Sequence, residues 1–204
     1  MNFVLMADII KSSDKESNAL IESFRQLVGM INEEYTDIII SPMTITLGDE
    51  FQGIVKDLSA GLKLMVAFEE KGIELGLGFK MRYVLGQGKI DTPINKETAY
   101  GMIGPGLTET RKYLNAMKKT GKRFEFMIEG EHVESISDLF FLYQFFVDSW
   151  HKKDLEVVST FLKLEDYKSV SSVLKKDPSS MWRRERNLGI REYQTCKKLI
   201  NAYA

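Results

Sequence analysis

The chain is poor in the residues that build disulfide frameworks and thiolate or imidazole metal centres. Among its 204 residues there are one cysteine, Cys196, and two histidines, His132 and His151. A single cysteine excludes an intrachain disulfide and a zinc site made of several thiolates. Metal chemistry would therefore have to use oxygen ligands, which suit Mg²⁺, Mn²⁺ or Ca²⁺.

The chain also lacks a long apolar run and an excess of either charge. Its richest apolar run, residues 139–147, is too short to span a bilayer, and the opening residues 1–10 carry neither a basic leader nor a small-residue cleavage site. We therefore expect a cytoplasmic protein with no membrane partner. Because 28 basic residues nearly balance 29 acidic ones, any charge signal has to be local.

Apolar patterning over residues 1–135 predicts an α+β fold. Continuous or alternating apolar runs predict strands, and apolar residues at helical spacing predict helices between them. The predicted order is strand, helix, hairpin, helix, strand, then another helix and a fifth strand. The hairpin's first strand should bulge near Pro42, and the helix after the hairpin should be capped by Ser59. This is the βαββαβ order of a ferredoxin-like or palm sheet, in which the first and third strands are neighbours.

Acidic residues stand at the two places that this topology brings together. Asp8 ends the first strand, and Asp49 and Glu50 lie with Gly48 in the predicted hairpin turn. We expect Asp8 and Asp49 to face each other across the sheet edge. Two carboxylates a few ångströms apart can bridge divalent ions that neutralise phosphate charge. An acidic hairpin tip can also be a solvated turn, whereas an acid ending an apolar strand is costly unless it is paired or coordinated.

Other residues near these acids allow either a structural or a functional interpretation. Arg82 could be the structural partner of an acid, and Arg111 could be a solvated residue of the helix that follows the fourth strand. We interpret Gly86 and Gly88 as turn glycines rather than as a phosphate cradle.

Four stretches occur in the order and spacing of the SatD family of bacterial proteins, which the chain resembles over nearly its whole length. They are ADIIKSS, ITLGDEFQGIV, MRYVLGQGKI and AYGMIGPGLTETRKYL. The family looks like a cyclase-like palm domain followed by a C-terminal helix-turn-helix. The first two stretches also resemble the metal-binding strand and hairpin of class III nucleotidyl cyclases, and the hairpin resembles that of diguanylate cyclases.

The resemblance implies a site for Mg²⁺ or Mn²⁺ and a nucleoside triphosphate or other nucleotide. It implies metal ligands at Asp8 and Asp49, with Glu50 as an auxiliary acid and a backbone contact from Ile9. It also implies a catalytic role for Arg111. Nucleotide contacts would come from Lys11, Ser12, Ser13 and Gly48.

Two features of class III cyclases are missing from this sequence. Those enzymes carry an asparagine one helical turn before the arginine, and a base-reading lysine before the hairpin. No asparagine precedes Arg111 in GPGLTETRKYL, and MTITL holds no lysine. Metal binding is therefore better supported than cyclisation.

Residues 136–204 are predicted to form a separate helical region after the palm domain of residues 1–135. From Trp150 onward, twelve lysines and arginines stand against seven aspartates and glutamates. The segments 165–175, 179–188 and 191–203 fit a helix-turn-helix plus one more helix, with Pro178 at a helix start.

The second of these segments has the residues of a DNA-recognition helix. Serines and arginines of this kind contact phosphates and base edges; here they are Ser179, Ser180, Arg183, Arg184 and Arg186. The motif is degenerate, because Ser171 replaces the usual small alanine and Lys175 the usual turn glycine. A solvated basic face and a protein-contact surface are the alternatives.

Our leading hypothesis is a metal- and nucleotide-binding regulator with a DNA- or protein-binding tail. The alternatives are an active Mg²⁺- or Mn²⁺-dependent nucleotidyl cyclase or nucleotidyltransferase, and a catalytically inactive palm scaffold. By resemblance, a homodimer is also expected.

Overall fold

A computed structural model describes residues 1–10 and 17–203 of the chain. The described part forms a five-stranded sheet and eight α-helices, with a short 3-10 helix at Lys152–Asp154. The elements are β1 (Asn2–Ile9), α1 (Ser17–Glu34), β2 (Ile39–Ile45), β3 (Glu50–Val55), α2 (Leu58–Glu74), β4 (Met81–Gly88), α3 (Pro105–Met117), β5 (Phe124–Met127), α4 (Val133–Ser149), α5 (Leu155–Leu164), α6 (Tyr167–Leu174), α7 (Pro178–Asn187) and α8 (Ile190–Ala202).

The sheet has the strand order β2-β3-β1-β4-β5. β1 lies between β3 and β4 and is antiparallel to both, while β5 is parallel to β4. This arrangement confirms the predicted βαββαβ palm with a fifth strand. The pairing of β2 with β3 shifts register between Ile39 and Thr44, which confirms the predicted bulge near Pro42.

One helix start was predicted wrongly. α2 begins at Leu58, and its N-cap is Asp57, whose Oδ1 accepts a hydrogen bond of 2.8 Å from the amide of Ala60. Ser59 therefore lies inside the first turn. A carboxylate two positions earlier supplies the acceptor that the free amides of a helix start require.

The two faces of the sheet have different coverings. Leu5, Ala7 and Ile9 belong to the larger apolar core, which includes residues of α1 and α2. Val4 and Met6 belong to a smaller core beneath α3. Because side chains alternate along a strand, Asp8 lies on the same face as Val4 and Met6, at the end of that strand.

Helix α3 packs very closely on β4. A Cβ atom at Gly88 would lie 2.4 Å from the Cα atom of Gly106, and one at Gly86 would lie 2.0 Å from the Thr110 Oγ1. Gly86 and Gly88 therefore lie within a strand, and their interpretation as turn glycines was wrong. Their missing side chains leave room for the helix that carries Arg111.

The C-terminal helices pack against the palm on the side of α2 and β5. The larger apolar core continues from the palm into α4 and α8, where it includes Tyr143 and Tyr193. The Tyr193 hydroxyl donates to Glu70 Oε1 of α2 at 2.8 Å, and Lys197 Nζ lies 2.7 Å from the same oxygen. The division into residues 1–135 and 136–204 stays a prediction. Among the described residues, no helix has both the length and the apolar character needed to cross a membrane.

Candidate functional site at the sheet edge

Asp8 is buried at the end of β1 and is held by two cations. It is only 3% exposed. Arg82, its cross-strand neighbour on β4, donates from Nε to Oδ1 at 2.8 Å and from Nη2 to Oδ2 at 3.1 Å. Lys118, just after α3, places Nζ 3.5 Å from Oδ2. A bidentate guanidinium contact is among the stronger ways to hold a carboxylate. The two hydrogen bonds confirm the interpretation of Arg82 as the partner of an acid.

Glu50 is the second buried carboxylate of this edge. It is 4% exposed and begins β3, where its Cα atom is paired with that of Asp8. Arg111 of α3 places Nη2 2.7 Å from Glu50 Oε1, and the Thr46 hydroxyl lies 3.4 Å from the same atom. Burial raises the pKa of Glu50, the charge of Arg111 and the Thr46 hydrogen bond oppose that rise, and nearby Asp8 adds to it.

The hairpin register differs by one residue from our prediction. Glu50, rather than Asp49, stands opposite Asp8 on the neighbouring strand. Asp49 is the last residue before β3, and its carbonyl accepts a 2.9 Å hydrogen bond from the amide of Ile9. Gly48 has a φ of 83°, a backbone conformation that glycine adopts at little cost. The structure thus brings Asp8, Ile9, Asp49 and Glu50 together at one edge.

Arg111 also contacts Gln52, which lies two residues after Glu50 on β3. Its Nη2 donates to Gln52 Oε1 at 3.1 Å, and Gln52 Nε2 in turn donates to the carbonyl of Ala99. The Ala99 amide donates to Thr44 Oγ1 at 2.8 Å. Polar side chains of β2 and β3 therefore fix the segment before α3 on the sheet.

Helix α3 presents Arg111 to the carboxylates from the same side that packs on the sheet. Leu107 and Leu114 lie in the smaller core, so the side of the helix that they occupy faces the sheet. Arg111 and Lys118 are seven residues apart, about two helical turns, and so lie on the same side. Lys118 was not predicted, although that spacing from Arg111 is a signal that the sequence contains.

The donor set of the edge can hold a hard cation only in part. Within residues 1–10 and 17–203, no three histidine, cysteine, aspartate or glutamate side chains are grouped as a metal site. Asp8 and Glu50 nevertheless supply two neighbouring carboxylates. Mg²⁺ is commonly bound by one or two carboxylates, with water and substrate phosphates completing the shell, and the residues fit this kind of site. Lys11, Ser12 and Ser13, the predicted nucleotide contacts, lie outside the described residues.

Comparison with known proteins settles the family. The family model described as "SatD family" matches residues 3–202. The chain belongs to the SatD family. No curated protein matches it.

Among solved structures, the SatD-family chain is similar to nucleotidyl cyclase domains. A bacterial light-regulated adenylyl cyclase shares 10% identity with a TM-score of 0.45, covering 61% of this chain and 74% of that one. The catalytic core of a rhodopsin-guanylyl cyclase with converted specificity shares 17% identity with a TM-score of 0.35, covering 58% of this chain and 71% of that one. The guanylate cyclase domain of RhGC from Catenaria anguillulae shares 15% identity with a TM-score of 0.34, covering 58% and 72% respectively.

The three arginines on α7 of the SatD-family chain have different surroundings. Arg183 is exposed, and Arg186 places its guanidinium carbon 4.9 Å from the ring centre of Trp182, which is 41% exposed. Arg184 instead contacts the buried Asp154, with its Nη2 at 2.5 Å from Oδ1. Two of the three predicted phosphate contacts therefore face solvent, together with Ser179 and Ser180 at the helix start.

Two residues at the end of α6 and in the turn before α7 depart from the usual helix-turn-helix sequence, and that motif stays a prediction. Lys175 adopts the left-handed conformation, with a φ of 52°, in which a glycine would be usual. Ser171 is 5% exposed, and its hydroxyl donates to the Lys176 carbonyl at 2.8 Å. The serine hydroxyl is thus satisfied inside the turn.

Proposed function

We propose that this SatD-family protein binds a nucleoside triphosphate together with Mg²⁺ or Mn²⁺ at the sheet edge and acts as a nucleotide-responsive regulator. One observation supports the proposal above others. Two buried carboxylates, Asp8 and Glu50, are directly opposed on neighbouring strands, and three cationic side chains converge on them. These cations are Arg82, Arg111 and Lys118.

In this proposal, the carboxylates hold the ion and the cations hold the phosphates. Asp8 and Glu50 would bind the ion with a backbone contact from Ile9, and Asp49, which adjoins Glu50 in the turn, would join them when the ion is bound. The bound ion would neutralise phosphate charge. Arg111 and Lys118 lie on one side of α3 and can bind and orient a polyphosphate chain. Burial of the carboxylates keeps bulk water away and strengthens each of these electrostatic interactions.

The same edge favours binding over fast cyclisation. The residue one turn before Arg111, where class III cyclases have asparagine, is Leu107, which packs in the smaller apolar core. No amide is therefore available at that position to stabilise a transition state. An active cyclase or nucleotidyltransferase is the alternative function, and an inactive palm scaffold is a further one.

The test is a thermal melt with Mn²⁺ and each nucleoside triphosphate in turn. A ligand at about 100 times its dissociation constant stabilises the fold by about 2.7 kcal/mol, so the melting temperature should rise with the correct nucleotide. Asp49→Asn should abolish the rise and leave the apo protein folded. Asp138→Asn, an exposed carboxylate on α4, is the matched control and should keep it.

An equal rise in wild type and Asp49→Asn would make Asp49 a solvated turn residue. The same mixtures, separated by mass, decide between binding and catalysis. We expect cyclic products to form slowly or not at all. Rapid formation of a cyclic product that depends on Asp49 would favour the enzyme instead.

For the tail, we propose weak duplex DNA binding through α7. The exposed pair Arg183 and Arg186, beside Trp182 and the serines of the helix start, supports this candidate. Contact with another protein is the alternative for the same surface.

A further inference from the structure

We infer that Lys118 and Arg82 are resident counter-ions of Asp8, which a divalent ion has to displace, and that metal and triphosphate binding are therefore positively coupled. This inference rests on the proposed function and adds a mechanism of regulation to it. The site would bind the divalent ion weakly when no polyphosphate is present and more tightly when one is bound.

Without ligands, the buried carboxylates of the edge are already paired with cations. Asp8 and Glu50 contribute two buried negative charges, the partly exposed Asp49 adds a third at the turn, and Arg82, Arg111 and Lys118 contribute three positive charges. Both buried carboxylates are thus already compensated. An isolated divalent cation would enter surroundings that hold no uncompensated buried anion, which is unfavourable.

Both oxygens of Asp8 are already occupied by cations. Arg82 contacts both carboxylate oxygens, and Lys118 also contacts Oδ2. An ion that binds an oxygen of Asp8 therefore competes with at least one of these contacts. The Arg82 side chain is 12% exposed and sits within β4, whereas the Lys118 side chain is 48% exposed and follows the end of α3. Lys118 is the partner that can move away at low cost.

A triphosphate compensates the charge that metal binding leaves at the edge. The entering ion adds two positive charges and takes from Lys118 its carboxylate partner, and a polyphosphate can pair with both the ion and the displaced ammonium group. Metal binding then strengthens phosphate binding. By linkage, phosphate strengthens metal binding by the same factor, and such couplings are typically about 5- to 150-fold.

The experiment measures both affinities with and without the other ligand. Mn²⁺ binding is followed by the electron paramagnetic resonance signal of the free ion, alone and with a non-hydrolysable triphosphate analogue. The stability of the Mn²⁺–analogue complex in free solution is measured separately and included in the fit. For the wild type we expect weak binding of Mn²⁺ alone and at least about fivefold tighter binding with the analogue.

The deciding variant is Lys118→Gln, with Lys112→Gln as its control. Lys112 lies on α3, which ends just before Lys118; it is exposed, and it pairs with Glu109 instead of Asp8. Because Lys118 is half-exposed, its removal should tighten Mn²⁺ binding without nucleotide by about two- to fivefold and reduce the coupling. Lys112→Gln has the same charge change and should leave both values unchanged. Arg82→Gln, if it folds, should tighten Mn²⁺ binding alone by more than Lys118→Gln does.

The outcomes separate this inference from the proposed function. If the wild type binds Mn²⁺ and the analogue independently, or if Lys118→Gln and Lys112→Gln behave alike, the counter-ion role is wrong and the nucleotide site stands. If the wild type binds neither ligand, the proposed function fails and the inference fails with it.

Discussion

Single residues at the sheet edge explain why it can fold without a ligand. A buried carboxylate without a partner costs several kcal/mol, and removing one partner of a buried pair leaves that cost uncompensated. Asp8 is compensated by Arg82, and Glu50 by Arg111. The two acids of the candidate site are thus compensated by side chains of the protein itself.

A first prediction concerns the pair of Glu50 and Arg111. Arg111→Met should lower the free energy of unfolding by about 1–2 kcal/mol, toward the low end for a broken buried pair because the Arg111 side chain is 34% exposed. Glu50→Gln combined with Arg111→Met should cost less than the two single changes together, since no unpaired charge remains. Urea denaturation of the four proteins gives the coupling. Strictly additive losses would show that the contact does not stabilise the fold.

The sequence correctly predicted which acids lie at the sheet edge, but it did not predict which of them are paired across the strands. Asp8 interrupts an apolar strand, and an acid in such a place needs a partner such as Arg82. The choice between Asp49 and Glu50 opposite Asp8 depends on the number of residues in the turn. A slip of one residue moves a side chain to the other face of a strand, and composition does not determine it. The contact of Gln52 with Ala99 joins distant segments, so no local pattern indicates it.

Helix α3 is the element that connects the fold to the site. It carries Arg111 and ends just before Lys118, and its distance from the sheet is set where Gly88 meets Gly106. The sequence predicted this helix after the fourth strand from its entry through glycine and proline. The glycines of β4 were misinterpreted because a turn and a close helix contact both require glycine, and only the three-dimensional packing distinguishes them.

The second prediction follows from this contact. In Gly88→Ala the new methyl group would meet backbone atoms of Gly106 at 2.4 Å, which no side-chain rotation can relieve. Helix α3 has to move, so we expect a loss of about 1–3 kcal/mol and weaker triphosphate binding. The control is Gly29→Ala in α1, where nothing lies within 4 Å of the added Cβ; it should be neutral or stabilising by up to about 1 kcal/mol. Equal stability and binding for Gly88→Ala and wild type would argue against the role of the contact.

The third prediction concerns α7 as a DNA-binding element. Counterion release gives a log–log salt slope of roughly 0.9 per phosphate contact, so alanines at Arg183 and Arg186 should flatten it by up to about two units. Arg184→Ala should instead lower stability, because Arg184 contacts buried Asp154. The assay is fluorescence anisotropy with a labelled duplex at several salt concentrations. Binding that is absent at low salt, or unchanged in the double variant, would show that α7 does not bind DNA and would leave the protein-contact alternative.

At the scale of the whole molecule, the C-terminal helices complete the core of the palm. Phe124 of β5 packs against Phe140 and Tyr143 of α4, with ring centres 5.1 and 5.6 Å apart. Tyr143 in turn lies against Tyr193 of α8, at 5.5 Å. The helical character of residues 136–204 could be predicted from apolar spacing. Their docking could not, because an amphipathic pattern shows that a face is buried without showing against which partner.

The last prediction is that residues 1–135 alone do not form a stable domain. Removing residues 136–204 would expose Phe124, Phe126 and the outer side of α2. Burial of an apolar area of that size contributes a large part of the small net free energy of folding. We expect the fragment to lose its cooperative melt and to bind a hydrophobic dye, whereas the full chain does neither. Full-length Lys163→Ala, which removes only an exposed ion pair with Glu74, is the control and should change the free energy of unfolding by less than about 1 kcal/mol. A fragment that melts cooperatively and binds Mn²⁺ and triphosphate like the full chain would establish the palm as an independent domain, with the helices as an appended module.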